Sequence, residues 1–355
     1  MTVPVKRTIR PYVPAVAPVR EPQAEPLPVC VGVVGLGYWG PNLVRNLSEL
    51  ETAEAAWMCD LRPSALEALG RRFPAVRRTQ DFAAMLADPE LDAVAVVTPV
   101  ATHYDLAMRA LQAGKHVFVE KPLAASSGEA RDLIRTAEER GLVLMPGHTF
   151  LYSPPVNRIR DLIRSGELGN IYFVSMSRVN LGIHQSDVSV IWDLGPHDFS
   201  ILMYWLGERP RKIISMGRAC VVPDQEDVAF INCEFGSGAI AHIELAWLAP
   251  SKLRRTTVVG SKKMVVYDDC SNEPVRIYDS RVVPRDPASF GEYLNYRTGD
   301  IVSPHIDLSE PIALQMQDFC RAIRSGSTPR SSPQLGLDVV HMIEAAERSL
   351  IARVE

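Results

Sequence analysis

Short apolar runs alternate with amphipathic stretches along the first part of the chain. The runs fall at 29–34, 55–59, 92–98, 116–119 and 142–145. The run at 92–98 is apolar after its first residue, as a strand buried on both faces would be. Between the runs, helices are expected after Gly40 and over 63–72, 81–87, 104–113 and 127–140, the last two stopped by Gly114 and Gly141. Strand followed by helix, repeated, predicts a parallel sheet with right-handed crossovers, for which six strands are expected, one more than the five runs mark. The period then changes. After a helix at 155–164, segments at 171–180, 212–222, 227–235, 239–248, 254–259 and 263–267 alternate polar and apolar residues. Gly236-Ser237-Gly238 and Gly260-Ser261 sit between them as hairpin turns, so this half reads as a mostly antiparallel sheet. One amphipathic helix, 194–206, covers one sheet face; the other is left for solvent or another subunit. Residues 281–308 read as an irregular polar loop. Helices at 311–323 and 335–354 are expected to return and brace the first domain.

Composition narrows the class. A chain of 355 residues exceeds one ordinary core. The division expected is a Pro-rich arm (1–28), a first domain (29–150), a second domain (151–308) and C-terminal helices (309–355). The arm has no apolar centre, so it is not a signal peptide. Hydrophobic content of 46% with 23% charged residues is that of a soluble globular protein. A net charge of −4, with no basic run interleaved with aromatics, gives no case for nucleic acid. No apolar stretch approaches the ~20 residues that span a bilayer. The six cysteines (Cys30, Cys59, Cys220, Cys233, Cys270, Cys320) form no C-x-x-C, which fits a reducing cytoplasm.

The first run ends in Gly35-Leu36-Gly37-Tyr38-Trp39-Gly40, a G-x-G-x-x-G spacing between strand and helix. Gly35 permits the tight turn, Gly37 lets backbone approach a pyrophosphate, and Gly40 lets helix and strand pack closely. The helix then directs its unpaired N–H groups at the phosphates. Asp60 follows at the end of the second strand, where an acid suits both hydroxyls of an adenosine ribose; a solvated strand-end carboxylate is the plainer alternative. A carboxylate there repels a 2′-phosphate and favours NAD over NADP, with Arg62 the feature that argues otherwise.

Two further groups carry candidate chemistry. Thr98-Pro99 and Glu120-Lys121-Pro122 lie at strand ends, where open α/β sheets bind ligands. Lys121 there is either a donor to a reacting hydroxyl or a solvated lysine. Asp193 and His197 are spaced to share one helix face. Neutral histidine suits the removal of a hydroxyl proton, while a helix cap followed by a buried histidine is the bland alternative. No metal is expected, because Asp193, His197 and Asp198 lack a third partner and no H-E-x-x-H exists.

With these residues in view, the chain from Val29 to Ala352 resembles the Gfo/Idh/MocA oxidoreductases. The resemblance rests on G-L-G-Y-W-G (35–40), T-P-V-A-T-H (98–103), E-K-P (120–122), G-H-T-F (147–150) and D-L-G-P-H-D (193–198). It implies a Rossmann dinucleotide-binding domain joined to a mostly antiparallel open-sheet domain, with NAD on the first and a sugar or cyclitol against the second. It further implies that Lys121 assists the reacting hydroxyl, His197 is the acid/base, and Asp193 orients or shares that work. Thr98, Pro99, His103 and Glu120 would line the nicotinamide side. We expect Tyr38, Trp39 and Arg62 to complete the cofactor site and Tyr152, Arg178, His184 and Trp192 to face the substrate. Within the family the chain is most similar to sugar 3-dehydrogenases, which oxidise a ring hydroxyl to a ketone that an aminotransferase then aminates. Few cations before Trp192, and acids at Asp187 and 224–227, suit an amine-bearing sugar such as an aminoglycoside precursor as well as a UDP-sugar. A keto-sugar reductase and a non-catalytic NAD-binding regulator are the competing readings. A homodimer or homotetramer is expected.

Overall fold

The computed structural model describes residues 27–182, 184–185, 188–284 and 294–351. The Pro-rich arm, apart from its last two residues, lies outside them, as do Asp187 and residues 352–355.

The first sheet has six parallel strands: β1 (Val29–Val34), β2 (Ala53–Cys59), β3 (Arg77–Thr79), β4 (Ala93–Val96), β5 (His116–Glu120) and β6 (Leu144–Gly147). Their order is β3-β2-β1-β4-β5-β6. The chain reverses direction across the sheet between β1 and β4, which pair from Val31↔Ala93 to Val34↔Val96. That switch point opens a crevice beyond the carboxyl ends of the strands, where this class of sheet holds ligands. Val31, Val33, Ala95, Phe118 and Met145 are fully enclosed, so the apolar runs behave as two-sided strands. β3 is invisible to hydrophobic patterning because it is a polar edge strand, Arg-Arg-Thr, with mostly exposed residues. Five helices fill the crossovers: α1 (Gly40–Glu49), α2 (Pro63–Gly70), α3 (Phe82–Leu86), α4 (His103–Gln112) and α5 (Ser127–Arg140). Ser126 caps α5 by accepting from the Glu129 N–H, and Gly141 ends it in the left-handed region at φ 64°.

The second sheet has eight strands: β7 (Ile171–Val179), β8 (Pro210–Arg218), β9 (Val228–Phe235), β10 (Ile240–Ala246), β11 (Leu253–Gly260), β12 (Met264–Asp268), β13 (Val275–Pro284) and β14 (Leu294–Val302). The order is β14-β13-β12-β11-β7-β10-β9-β8, and of its pairs only β7 with β10 is parallel. β13 and β14 correct the expected loop over 281–308. They form a paired edge hairpin in which Val282, Tyr296, Ile301 and Val302 are exposed. With little buried on either face, the usual apolar alternation is missing, and backbone pairing plus the Arg297–Asp279 ion pair at 2.7 Å defines the hairpin.

Helices α6 (Pro154–Arg164), α7 (Val190–Leu206) and α9 (Pro333–Ile351) pack on one face of this sheet. Their shared core includes Phe199, Trp205, Ile231, Leu245, Val258 and Ile343. α8 (Pro311–Ser325) instead covers the first sheet, with the Phe319 ring 6.0 Å from that of Phe118. The C-terminal helices therefore tie the two sheets together. α7 starts at Val190 rather than at 194, so Pro196 stands inside the helix, not in its first turn. No helix among the described residues is long and apolar enough to cross a membrane.

Candidate active site

The cofactor end is built from backbone. Each glycine after β1 meets a different constraint. Gly35 has φ +94°, and a Cβ there would stand 2.6 Å from the Val97 carbonyl oxygen. A Cβ on Gly40 would run into the carbonyl oxygen of Gly35. At Gly37, by contrast, a Cβ would meet nothing within 4 Å. The open face at Gly37, at the mouth of α1, is the approach a pyrophosphate needs. Tyr38 and Trp39 are exposed beside it, their rings edge to face at 5.1 Å.

Asp60 is 8% exposed at the end of β2. One carboxylate oxygen accepts from the Leu36 N–H at 2.7 Å, inside the glycine loop; the other accepts from the Arg62 N–H at 2.8 Å. The Arg62 guanidinium adds contacts of 3.0 Å to both oxygens. Burial alone would raise the Asp60 pKa, but hydrogen bonds from Arg62 and Leu36 outweigh it and hold the carboxyl below its ordinary value. The result is a fixed anion where a 2′-hydroxyl is favoured and a 2′-phosphate is not. These features fit NAD.

The second centre is assembled from distant segments. Lys121 follows β5 and precedes Pro122 across a cis peptide bond. Its ammonium donates to the backbone carbonyl of Asp193 at 2.8 Å and to the Asp193 carboxylate at 3.2 Å. Trp247, just past β10, donates its indole N–H to the other Asp193 oxygen at 3.2 Å. His197 lies one helical turn further along α7, its ring edge to face with Phe150 at 5.1 Å. Burial, then the charges of Lys121, Arg178 and Arg254, push its pKa well below the ordinary imidazole value. A neutral imidazole thus stands within electrostatic reach of the ammonium that holds the Asp193 carboxylate. Glu120 beside them is pushed up to about 7 by burial, against the opposing charge of Lys121.

Pro196 has no N–H to offer the carbonyl of Trp192 and crowds that turn of α7. In the same turn the Asp193 carbonyl receives the Lys121 ammonium, so a helix irregularity coincides with the docking point.

Three expected contacts are corrected. His103 is 1% exposed, with its ring nitrogens 2.9 Å from the carbonyl oxygens of Pro122 and Thr98. Both ring nitrogens are engaged in bracing two strand ends within the protein. Tyr152 is 2% exposed and donates its hydroxyl to Asp318 on α8 at 2.6 Å, which anchors the C-terminal helices. Arg178 is 5% exposed and forms a two-pronged pair with Asp198 at 2.7 and 3.1 Å. That pair lies behind His197, inside the second domain.

His184 sits 5.1 Å from the Trp247 ring, with Nε2 3.8 Å from Asp227. Trp192 lines a neighbouring cavity of about 580 Å³ with Val100, Ser189, Asp224, Glu226 and Glu347. Thr98 accepts a hydrogen bond from the Thr102 hydroxyl at 2.7 Å, and Pro99 opens the turn between them. Two residues at the centre escaped the sequence reading. Trp247 follows a strand and looks like core; only its place after β10 hints otherwise. His148, in G-H-T-F, is fully buried beside Lys121. Among the described residues no group of three or more His, Cys, Asp or Glu could hold a metal ion.

A switch-point crevice with an open glycine loop at a helix mouth, a strand-end carboxylate and a neutral imidazole fits a nucleotide-dependent oxidoreductase. Residues 29–148 match the model described as "Oxidoreductase family, NAD-binding Rossmann fold", and residues 156–266 match the "GFO/IDH/MocA C-terminal domain". The chain belongs to the Gfo/Idh/MocA family. It is 29% identical over 303 residues to a UDP-N-acetylglucosamine 3-dehydrogenase of Acidithiobacillus ferrooxidans, spanning 82% of this chain and 91% of that one. It is 27% identical over 310 residues to a scyllo-inositol 2-dehydrogenase (NAD(+)) of Bacillus subtilis, spanning 84% and 86%. Among solved structures, GenD2 from gentamicin A biosynthesis in complex with NAD superposes with a TM-score of 0.79 at 27% identity, over 96% of this chain and 98% of that one.

Proposed function

We propose that the protein oxidises a secondary ring hydroxyl of a sugar unit, at C3, to a ketone. The observation that carries this reading is the junction of Lys121, Asp193 and Trp247 one helical turn from His197. Bound NAD supplies the hydride acceptor at its nicotinamide ring. His197 takes the hydroxyl proton, and its low pKa keeps it neutral and ready to do so at physiological pH. Lys121 donates to the same oxygen and stabilises the negative charge that develops as the proton leaves. Asp193 holds the Lys121 ammonium in place. Thr98, Pro99 and Glu120 face the nicotinamide side, Tyr38, Trp39 and Arg62 the rest of the cofactor, and His184 and Trp192 the substrate.

The substrate in this reading is an amine-bearing glycoside, of the kind built into aminoglycosides. The cavity beside Trp192 supports it: Asp224, Glu226 and Glu347 line it without a cationic side chain among its walls. Burial, then the charge of Glu226, raises the Glu347 pKa, a cost that a substrate ammonium offsets. The likeness to GenD2 points the same way. The relative named as a UDP-N-acetylglucosamine 3-dehydrogenase favours a UDP-sugar as the second reading. In either case the ketone is consumed by an aminotransferase. A second copy covers the outer face of the eight-stranded sheet, where Met216 and Ile240 are exposed, giving a homodimer or homotetramer in the cytoplasm.

The test is direct. Purified protein with NAD is offered amino-sugar glycosides and UDP-sugars in parallel, following reduced nicotinamide by absorbance and the ketone by mass. Turnover of the glycosides alone supports the reading; turnover of UDP-sugars alone replaces the substrate. Cofactor binding without turnover of either panel would leave a regulator.

A further inference from the structure

Four buried polar atoms beside the proposed base have no hydrogen-bond partner among the described residues. They are both ring nitrogens of His148, Nδ1 of His197 and Nη1 of Arg178. Leaving such groups unpaired is costly, and native proteins do so rarely. Here the four belong to one place. β5 and β6 pair Glu120 with Gly147, so Lys121 and His148 are neighbours at adjacent strand ends. Phe150, two residues beyond His148, joins the other two: its ring edges His197 at 5.1 Å and lies 4.7 Å from the Arg178 guanidinium.

His148 is 0% exposed, so a ligand in the crevice does not touch it without moving the backbone. Its partner must be internal. Of the carboxyl groups nearby, Asp198 is held by Arg178, Asp193 by Lys121 and Trp247, and Glu120 accepts from the Lys121 backbone N–H at 3.2 Å. Lys121, Arg178, Arg254 and His148 all act on His197 to disfavour its charged form. None of these acids hydrogen-bonds His197 Nδ1.

We propose that His148 is a positioning residue for His197, acting with Arg178 through one buried water. That water accepts from Arg178 Nη1–H and from His197 Nδ1–H and donates to one ring nitrogen of His148, pairing three of the four atoms, within the two to four partners a buried water needs. With its proton held on Nδ1, His197 presents the Nε2 lone pair to the substrate hydroxyl. Burial and Lys121 keep the His148 pKa at about 3, so it offers an acceptor nitrogen throughout the working pH range. A neutral partner also orients the base without making it more basic, unlike a carboxylate. This arrangement rests on His197 being the base.

The experiment compares His148→Leu and His148→Gln with the wild type. In H148L, kcat falls about 10- to 100-fold, the range typical of losing a partner that orients an active-site histidine. KM for the sugar and the Kd for NAD, read by fluorescence, stay within about twofold. H148Q keeps an acceptor and recovers most of the rate. Independently of turnover, imidazole 15N shifts report His197 as the Nδ1–H tautomer in the wild type and as a mixture in H148L. An Nε2–H tautomer in the wild type, or an unchanged kcat in H148L, overturns the proposal. Should H148L fail to fold, H148Q and the wild-type tautomer still decide it. Full activity of His197→Ala would instead sink the assignment of the base, and the tautomer measurement tells the two failures apart.

Discussion

The two ends of the crevice are made in opposite ways. At the cofactor end, a continuous loop and helix mouth meet one acid from the neighbouring strand, and the recognising groups are mostly backbone. At the proposed catalytic end, Lys121, Asp193 and Trp247 come from the end of β5, from α7 and from the end of β10, and all the contacts but that to the Asp193 carbonyl join side chains. A site made of backbone is lost when shape is lost. A site made of converging side chains fails when one of them goes, while the fold survives. The difference predicts that binding and chemistry can be damaged separately.

The largest effect expected is on chemistry alone. His197→Ala and Lys121→Ala each lower kcat by about 10²- to 10⁴-fold, the range for removing an acid/base group, with NAD affinity held within twofold by calorimetry. Near-normal turnover in either would remove that residue from the reaction.

Next come the glycines, which separate shape from approach. Gly40→Ala forces a Cβ against the Gly35 carbonyl and should cost about 1–3 kcal/mol, the range for overpacking, with a lower melting temperature. Gly37→Ala meets open space, so melting stays unchanged while NAD binding weakens. Equal melting points for the two variants would remove the distinction.

Asp60→Asn tests the acid at the cofactor end. Losing a charge-assisted bond to the ribose should weaken NAD binding by about tenfold and narrow the preference over NADP. Stability carries a sign as well. The folded-state pKa of Asp60 is lowered, so its contribution is present above the unfolded carboxylate pKa and is lost as pH falls through the folded value. The melting-temperature gap between wild type and D60N should therefore close in acid; a gap that widens there contradicts the assignment.

The smallest effect is a shift along the pH axis. Arg254 is one of the cations that depress His197. Arg254→Ala should move the acid limb of kcat/KM upward and leave the plateau near its wild-type height. A limb that stays put would mean that the Arg254–Asp269 pair, 3.2 Å apart, is electrically neutral as seen from the crevice.

Much of the fold was legible because burial leaves a period. The strands of the first sheet, α5 and the alternating segments of the second follow from apolar spacing, and G-x-G-x-x-G carries its geometry in the glycines themselves. Where burial is slight, the period is silent: β3 is a polar edge, and past Ile277 the β13–β14 pair carries exposed residues such as Val282, Tyr296 and Ile301. The candidate site divides in the same way. Asp193 and His197 share a face by spacing alone, whereas Tyr152 and Arg178 carry attractive chemistry that the structure commits elsewhere, to Asp318 and Asp198.

By itself the sequence determined two domains, a dinucleotide-type glycine loop, an acid at the end of the second strand and a D-x-x-x-H face on a helix. These depend on neighbours along the chain, within reach of local geometry. Only the tertiary structure decided that Lys121 meets Asp193, that Trp247 secures the far oxygen, and that His148 lies sealed beside the base. Those partners are far apart in sequence, and what brings them together is the packing of two sheets around α7, a global balance that no local pattern records.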